Sequence, residues 1–243
     1  MKLIKLDAID STNDFLKELL INNNAENFTV ITAEAQNKGK GQMGSIWVSE
    51  KGKNLTMSIL VKDFIFDINQ IYNLNIAVAI AIVTALEKYN IPKLSIKWPN
   101  DIMSDNKKVG GILIENSIKS AVKIDSIIGI GLNVNQTDFN ELPQASSLSL
   151  MTNTTFDKEE LLYKIIDEIK HNIIKLTDDR SEELWQKYSG LLFKKGTPMP
   201  FEKPNEERFM GIIKGVSKIG QLELLLEDDT IGTYGIKEIQ MLY

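Results

Sequence analysis

The most apolar window of the chain runs from Ile76 to Leu86, flanked by Asn73, Asn75 and Glu87. It falls well short of the ~20 residues that a bilayer span needs, so it reads as a buried core helix. The helical segment around it extends from about Ile71 to Tyr89 and stops near Asn90 and Pro92, where proline cannot continue the ladder. At 243 residues the chain has room for one large domain with its own core and a small appendage.

Hydrophobic residues at 43% and charged ones at 25% exclude a disordered or fibrous chain. The formal charge of −5 argues against general DNA binding, which needs a clustered excess of Lys and Arg, but leaves room for a small basic pocket. There is no cysteine, which removes disulfides, thiolate metal sites and cysteine nucleophiles and makes a cytoplasmic location the expectation. Met1 to Asp7 alternates charged and apolar residues as a strand does, so neither an export signal nor a helix-turn-helix is expected here. No membrane segment is expected.

The opening strand feeds Asp10-Ser11-Thr12-Asn13, four N-cap residue types, ahead of Phe15, Leu16, Leu19 and Leu20 at helical spacing. A short strand from Thr29 to Ala33, a glycine-rich loop from Gly39 to Gly44 and a strand-like stretch from Asn54 to Val61 follow. Another strand covers Ser126 to Val134, where Gly129 and Gly131 point to close approach by a ligand or another backbone. Asp138 to Thr155 reads as a long loop, Asp157-x-x-Glu160 as the start of an amphipathic helix, and Ser181 to Tyr188 as a short helix closing at Gly190. Beyond it, Gly196, Pro198, Pro200, Pro204, Gly211, Gly215 and Gly220 punctuate short alternating segments, the pattern of a small β-barrel-like unit.

Two lysine-bearing segments follow the core helix. Lys97-Trp98-Pro99-Asn100-Asp101 reads as a strand ending in a turn, and Lys108-Val109-Gly110-Gly111-Ile112-Leu113-Ile114-Glu115 as a buried strand, with Ser104-Asp105-Asn106 as the polar tip between them. As arms of one hairpin they place two cations at one site, suited to a phosphate or carboxylate. Gly39-Lys40-Gly41-Gln42-Met43-Gly44 adds a loop able to expose backbone donors; it matches Gly-x-Gly-x-x-Gly spacing without a strand-to-helix crossover, and it is not a Walker A loop. The single histidine, His171, points away from the stripe Leu162, Ile165, Ile166, Ile169 and Ile173, which argues against a Ser-His-Asp triad or a histidine metal site.

Five segments, in order, resemble the biotin protein ligase family in its short form without a DNA-binding domain. They are Asp10 to Asn13, Gln36 with Gly39 to Trp47, Lys97 to Ile102, Lys108 to Glu115, and Gly129 to Asn135, spanning roughly residues 1 to 190. The resemblance implies an α+β fold, with a mixed sheet flanked by helices, like class II aminoacyl-tRNA synthetases, over 1–190 and a small SH3-like β-barrel over 191–243. It implies a two-step ligase that uses biotin, ATP and Mg2+, forms biotinyl-adenylate, and transfers biotin to a lysine of a biotin carboxyl carrier protein; members of the family often pair through their sheets, which leaves a homodimer open, and no stretch of this sequence marks one. The implied biotin-binding positions are Ser11, Thr12, Asn13, Gln36, Lys40, Gly41, Gln42 and Lys108, and the implied adenylate positions are Gly39, Gly44, Trp47 and Asn133. Lys108, Asp101 and Lys97 are the implied catalytic residues; no metal ligand is implied.

Each residue also has a plainer reading. Ser11 to Asn13 would serve as a helix cap, Trp47 and Trp98 as core aromatics, Asn133 as a bulge partner and Asp101 as a turn residue. Lys97 stays open between a catalytic role and a structural cation paired with Asp101 or Glu115. The family's glycine loop commonly reads Gly-Arg-Gly-Arg-Arg-Gly-Arg-x-Trp; here one cation, Lys40, stands in place of four, which shifts the charge burden onto Lys108. Two alternatives remain: a lipoate ligase or octanoyl transferase of the same fold, whose Arg-Arg-x-Ser-Gly-Gly-Gly-type segment is absent here, and a catalytically silent biotin-binding regulator.

Overall fold

Strand β1 (Lys2–Ile9) leads into helix α1 (Thr12–Ile21), capped by Ser11, whose hydroxyl accepts from the Asp14 N–H. Strands β2 (Thr29–Gln36) and β3 (Leu55–Ile65) precede helix α2 (Ile71–Glu87). Strands β4 (Leu94–Lys97), β5 (Asp101–Ser104), β6 (Lys107–Ser120) and β7 (Lys123–Leu132) complete a seven-stranded sheet in the order β1-β2-β3-β7-β6-β5-β4. Only β1 and β2 run parallel, so the sheet is mixed. Helices α3 (Leu148–Thr152), α4 (Lys158–Thr177) and α5 (Ser181–Leu191) follow, with Asp157 capping α4. The computed structural model describes residues 1–65, 71–120, 123–139, 142–178 and 180–243.

From Ile76 to Leu86 every residue of α2 except Thr84 is buried. One side of α2 meets the sheet over β4, β5 and β6, and α4 and α5 cover the other side; Leu55, Met57, Ile59 and Val61 of β3 and Ile124, Ile128, Ile130 and Leu132 of β7 belong to the same apolar cluster. Because side chains alternate along a strand, the intervening residues face away. Leu60 and Ile127 there pack against Leu16 of α1. Farther along that second face stand Ser58, Thr56, Gly129, Gly131 and Gly111, with Gly111 opposite Gly131 and Ser58 opposite Gly129. Small residues leave this stretch of sheet open.

Strands β8 (Pro198–Glu202), β9 (Arg208–Val216), β10 (Leu222–Leu225), β11 (Ile231–Tyr234) and β12 (Gln240–Met241) form a separate antiparallel sheet, ordered β11-β10-β9-β8-β12, as an SH3-like unit requires. Phe201, Ile213, Leu222 and Met241 join the same apolar cluster as α2, and Trp98 donates its indole N–H to the Gly220 carbonyl at 2.9 Å. Gly220 has φ +88°, and a side chain there would overlap Tyr72. The two sheets therefore share one core.

Three local expectations change. The lysine segments form two successive hairpins rather than one: β4 turns into β5 through Pro99 and Asn100, and β5 into β6 through Asp105 and Asn106. Part of the expected loop at 138–155 is helix α3, capped by Ser147, while 140 and 141 lie outside the described residues. Helix α5 continues through Gly190, because Leu184, Trp185 and Tyr188 are anchored and outweigh the ~1 kcal/mol penalty of one glycine. His171 is exposed, as its position off the apolar stripe requires. Among the described residues no helix is long and apolar enough to cross a membrane.

Leu86→Ala, at a fully buried position of α2, is expected to lower the unfolding free energy by about 2–5 kcal/mol, measured by urea titration.

Candidate active site

A cavity of about 720 Å3 lies on the open face of the larger sheet, beneath the glycine loop and the C-terminal sheet. At one end the first turn of α1 sinks Ser11, Thr12 and Asn13 into the protein, each less than 5% exposed. Gln36 Oε1 accepts from the Thr12 N–H at 2.8 Å and the Thr12 hydroxyl at 3.0 Å. Ser58 Oγ lies 2.7 Å from Thr12 Oγ1 and 2.5 Å from Asn13 Oδ1. What approaches Gly129 so closely is the Asn13 amide, which leaves no space for a Cβ. Capping and lining are thus the same act for Ser11 to Asn13, since the residues that end the helix also face the cavity.

The other end is cationic. Lys108 Nζ lies 2.6 Å from Asp101 Oδ1, and Lys97 Nζ 3.7 Å from Asp101 Oδ2. Two ammonium groups share one carboxylate, leaving a net positive end. Burial pushes the Lys97 ammonium below the usual lysine range, opposed by Asp101 and assisted by Lys108. Its Nζ also sits 4.8 Å from the centre of the Tyr243 ring, whose phenol burial and the Asp101 charge push up to about 12. Lys97 therefore pairs with Asp101 and not with Glu115. The backbone of Lys108 is clamped by Gln144, whose carbonyl accepts its N–H, and by Ser146, whose N–H donates to its carbonyl.

The glycine loop closes on itself as a small hairpin. The N–H groups of Gly41 and Trp47 donate to the Ser45 and Gly39 carbonyls, so these donors are used inside the loop. A Cβ at Gly39 would overlap the Trp47 carbonyl, and the tip turns through Met43 at φ +53° and Gly44 at φ +84°. Lys237, from the β11–β12 connection, donates to the Met43 carbonyl at 2.6 Å. Lys40 reaches back to Asp14 at 2.7 Å, and that hydrogen bond raises its pKa. The Trp47 indole lies flat over Gly131 and beside Gly111, within cation–π reach of Lys108, and its buried N–H has no hydrogen-bond partner.

Ser11, Thr12, Asn13, Gln36, Lys40, Gly41, Gln42, Trp47, Lys97, Asp101 and Lys108 all line this cavity. Gly39 and Gly44 instead border an adjoining cavity of about 540 Å3 on the other side of the loop. Asn133 lines neither; its side chain donates to the Ser146 carbonyl at 3.0 Å and its backbone bonds Val109 and Leu148, which braces the segment that clamps Lys108. Sequence reasoning missed Ser58, Lys237 and Tyr243; the first was visible only as a polar residue breaking an apolar strand. Among the described residues no cluster of three or more His, Asp or Glu side chains could hold a metal ion. Asp101 is already shared between two lysines, so these residues do not form a protein-held magnesium centre.

A cavity with neutral acceptors at one end and a lysine-carboxylate-lysine group at the other fits a ligand with a polar head and an anionic tail. The family model of the biotin/lipoate A/B protein ligases matches residues 6–133. The biotin protein ligase from Aquifex aeolicus, solved in complex with biotin and ATP, is 30% identical, with a TM-score of 0.82 over 99% of this chain and 98% of that one. The bifunctional ligase/repressor BirA of Bacillus spizizenii is 36% identical over 68% of this chain and 51% of its own length. That of Escherichia coli is 27% identical over 93% of this chain and 69% of its own. The chain thus spans about half the length of the Bacillus relative. It belongs to the biotin/lipoate A/B protein ligase family.

Gly131→Ala would drive a methyl group into the Trp47 indole. The expected outcome is a changed near-UV circular dichroism spectrum with an unchanged far-UV spectrum.

Proposed function

We propose that this chain is an ATP-dependent biotin protein ligase, which joins the biotin carboxylate to the α-phosphate of ATP, releases pyrophosphate, and passes biotin to a lysine of a biotin carboxyl carrier protein. The observation that carries the reading is the meeting, in one cavity, of the polar end from α1 and the Lys97-Asp101-Lys108 end from β4 to β6. Biotin is an uncharged ureido ring on an apolar tail ending in a carboxylate. Its ring needs fixed hydrogen bonds, which Ser11, Thr12, Asn13 and Gln36 offer; its carboxylate needs a cation, which Lys108 offers.

The first step brings carboxylate and triphosphate together. Positive charge must offset their repulsion and the charge that grows at phosphorus, and Lys108 and Lys97 stand preorganised for that, with Lys40 able to leave Asp14 and join them. Magnesium, in this reading, arrives with the triphosphate as part of the substrate. In the second step a lysine amine attacks the acyl carbon of the mixed anhydride, the bond from that carbon to the phosphate oxygen breaks and AMP leaves; the amine must also lose a proton, and Asp101 orients it and receives that proton once the charge on its lysine partners is drawn to phosphate. Trp47 offers its face to the adenine and its free N–H to an acceptor, and the Gly39–Gly44 loop closes over the adenylate.

The cytoplasm is the compartment that fits, and no DNA contact belongs to this reading. Homodimerisation through the sheet is favoured at β1: β4, the other edge, is bridged by Leu192, whereas among the described residues no strand pairs with the outer side of β1.

Biotin and ATP together should release pyrophosphate, and Lys108→Ala should cut turnover by roughly 10²–10³-fold, the usual loss for one preorganised charge-stabilising group. No release by the unaltered chain would overturn the assignment. Calorimetry should favour biotin over lipoate; the reverse preference would select the lipoate ligase alternative. Gln42→Arg should slow dissociation of biotinyl-adenylate in a stopped-flow assay, since a second cation is restored to the loop.

A further inference from the structure

The two ammonium groups beside Asp101 are held in different ways. Lys108 Nζ sits 2.6 Å from the carboxylate, a close ion pair, whereas Lys97 Nζ is 3.7 Å away, beyond ordinary hydrogen-bond length. The second support of Lys97 is aromatic: its Nζ lies over the Tyr243 ring, 4.8 Å from the centre. Lys108 is farther from its own aromatic neighbour, 5.8 Å from the centre of the Trp47 ring.

The seat of the Tyr243 ring is registered to the strand that carries Lys97. Phe193 packs on it edge to face, with 5.2 Å between centres at 72°, and the Phe193 N–H donates to the carbonyl of Ile96, the residue before Lys97. The Tyr243 main-chain oxygen accepts from Gln144 Nε2 at 3.1 Å, and the Leu242 N–H donates to the Pro200 carbonyl. Gln144 is also the residue whose carbonyl takes the Lys108 N–H. Tyr243 is thereby tied to the supports of both lysines. It lines neither cavity, whereas Lys97 lines the larger one, so the ring backs the ammonium from outside the space a ligand would fill.

A ring face in that position does what a second carboxylate could not. It attracts the cation, yet it offers no lone pair to the three N–H donors of an ammonium and cancels none of its charge. With its phenol pushed up to about 12, Tyr243 is uncharged at neutral pH. Donors and charge at Lys97 therefore stay available to an anion in the cavity.

We propose that Tyr243 is a positioning residue whose ring backs the Lys97 ammonium and keeps its donors turned to the cavity, which makes Lys97 an active cation of the first step rather than a structural one. This inference rests on the biotin ligase reading and adds to it a residue that touches no substrate.

The test follows the single-turnover rate of pyrophosphate release at saturating biotin and ATP, with biotin affinity measured by calorimetry. Tyr243→Leu should slow release by about 3–30-fold, the range of a partly desolvated cation–π contact, and leave biotin affinity unmoved. Tyr243→Phe, which keeps the ring, should release pyrophosphate at close to the unaltered rate. Tyr243→Leu combined with Lys97→Met should be no slower than Lys97→Met alone, because the ring acts only through that ammonium. A fluorinated phenylalanine at position 243 keeps the shape and drains charge from the ring face; it should be slower than Tyr243→Phe, and it serves if the leucine variant does not fold. Equal slowing by Tyr243→Leu with and without Lys97 overturns the proposal. So does a phenylalanine variant as slow as the leucine one, a fluorinated ring as fast as the plain one, an unchanged rate in Tyr243→Leu, or biotin affinity lost along with rate. In each of those cases the ligase reading stands if the unaltered chain releases pyrophosphate; no release by the unaltered chain overturns both.

Discussion

Helix α2 offers no polar side between Ile76 and Leu86, and keeping that stretch from water decides how the larger unit is layered. A helix apolar on all sides needs cover on all sides. The sheet supplies one wall, α4 and α5 the other, with Asn172 of α4 reaching the Ala77 carbonyl and Trp185 of α5 reaching Asn73. Much of one face of the seven-stranded sheet is thereby consumed by packing. Polar chemistry is confined to the opposite face, where α1 covers only part of the strands. The position of the cavity follows from the burial of a helix on the far side of the sheet.

On that open face the structure holds charges close together that would be costly apart. Lys97 is mostly buried and its ammonium is disfavoured there; Asp101, lying between Lys97 and Lys108, keeps it tolerable. An anion entering the cavity would compete with Asp101 for the same ammonium groups, so in the proposed reaction its binding would be coupled to rearrangement of this triplet. The backbone clamp on Lys108 from Gln144 and Ser146, braced by Asn133, fixes the strand while leaving the side chain free to change partners.

The elements most legible in the sequence were those set by local signals. The capped start of α1 is written in Ser11 and the spacing of Phe15, Leu16, Leu19 and Leu20; α2 is written in its unbroken apolar run; the mixed fold and SH3-like unit followed from segment order. Less legible were features that depend on distant partners. Pro99-Asn100 and Asp105-Asn106 are both good turn signals, and only pairing in space shows that both are used. The Asn13–Glu115 bond joins residues 102 apart, and Lys237 meets Met43 across 194 positions. Gly129 and Gly131 correctly announced a close approach, but what approaches is the chain's own Asn13 and Trp47. Asn133, chosen by its place in a motif, turned out to brace the site from behind.

The glycine floor also works as a length gauge. Asn13 lies over Gly129, while Trp47 lies over Gly131 and Lys108 Nζ comes near Gly111, the cross-strand partner of Gly131. The two ends of the cavity are thus offset by two residues of β7, about 7 Å at the usual rise of a strand. Because alternate residues face opposite sides, that offset can change only in steps of two; a single inserted residue would turn the floor toward the core and present the core to the ligand. The distance between head and tail sites is therefore quantised by the backbone, and a cavity of this design can adapt to a ligand of intermediate length only through its side chains.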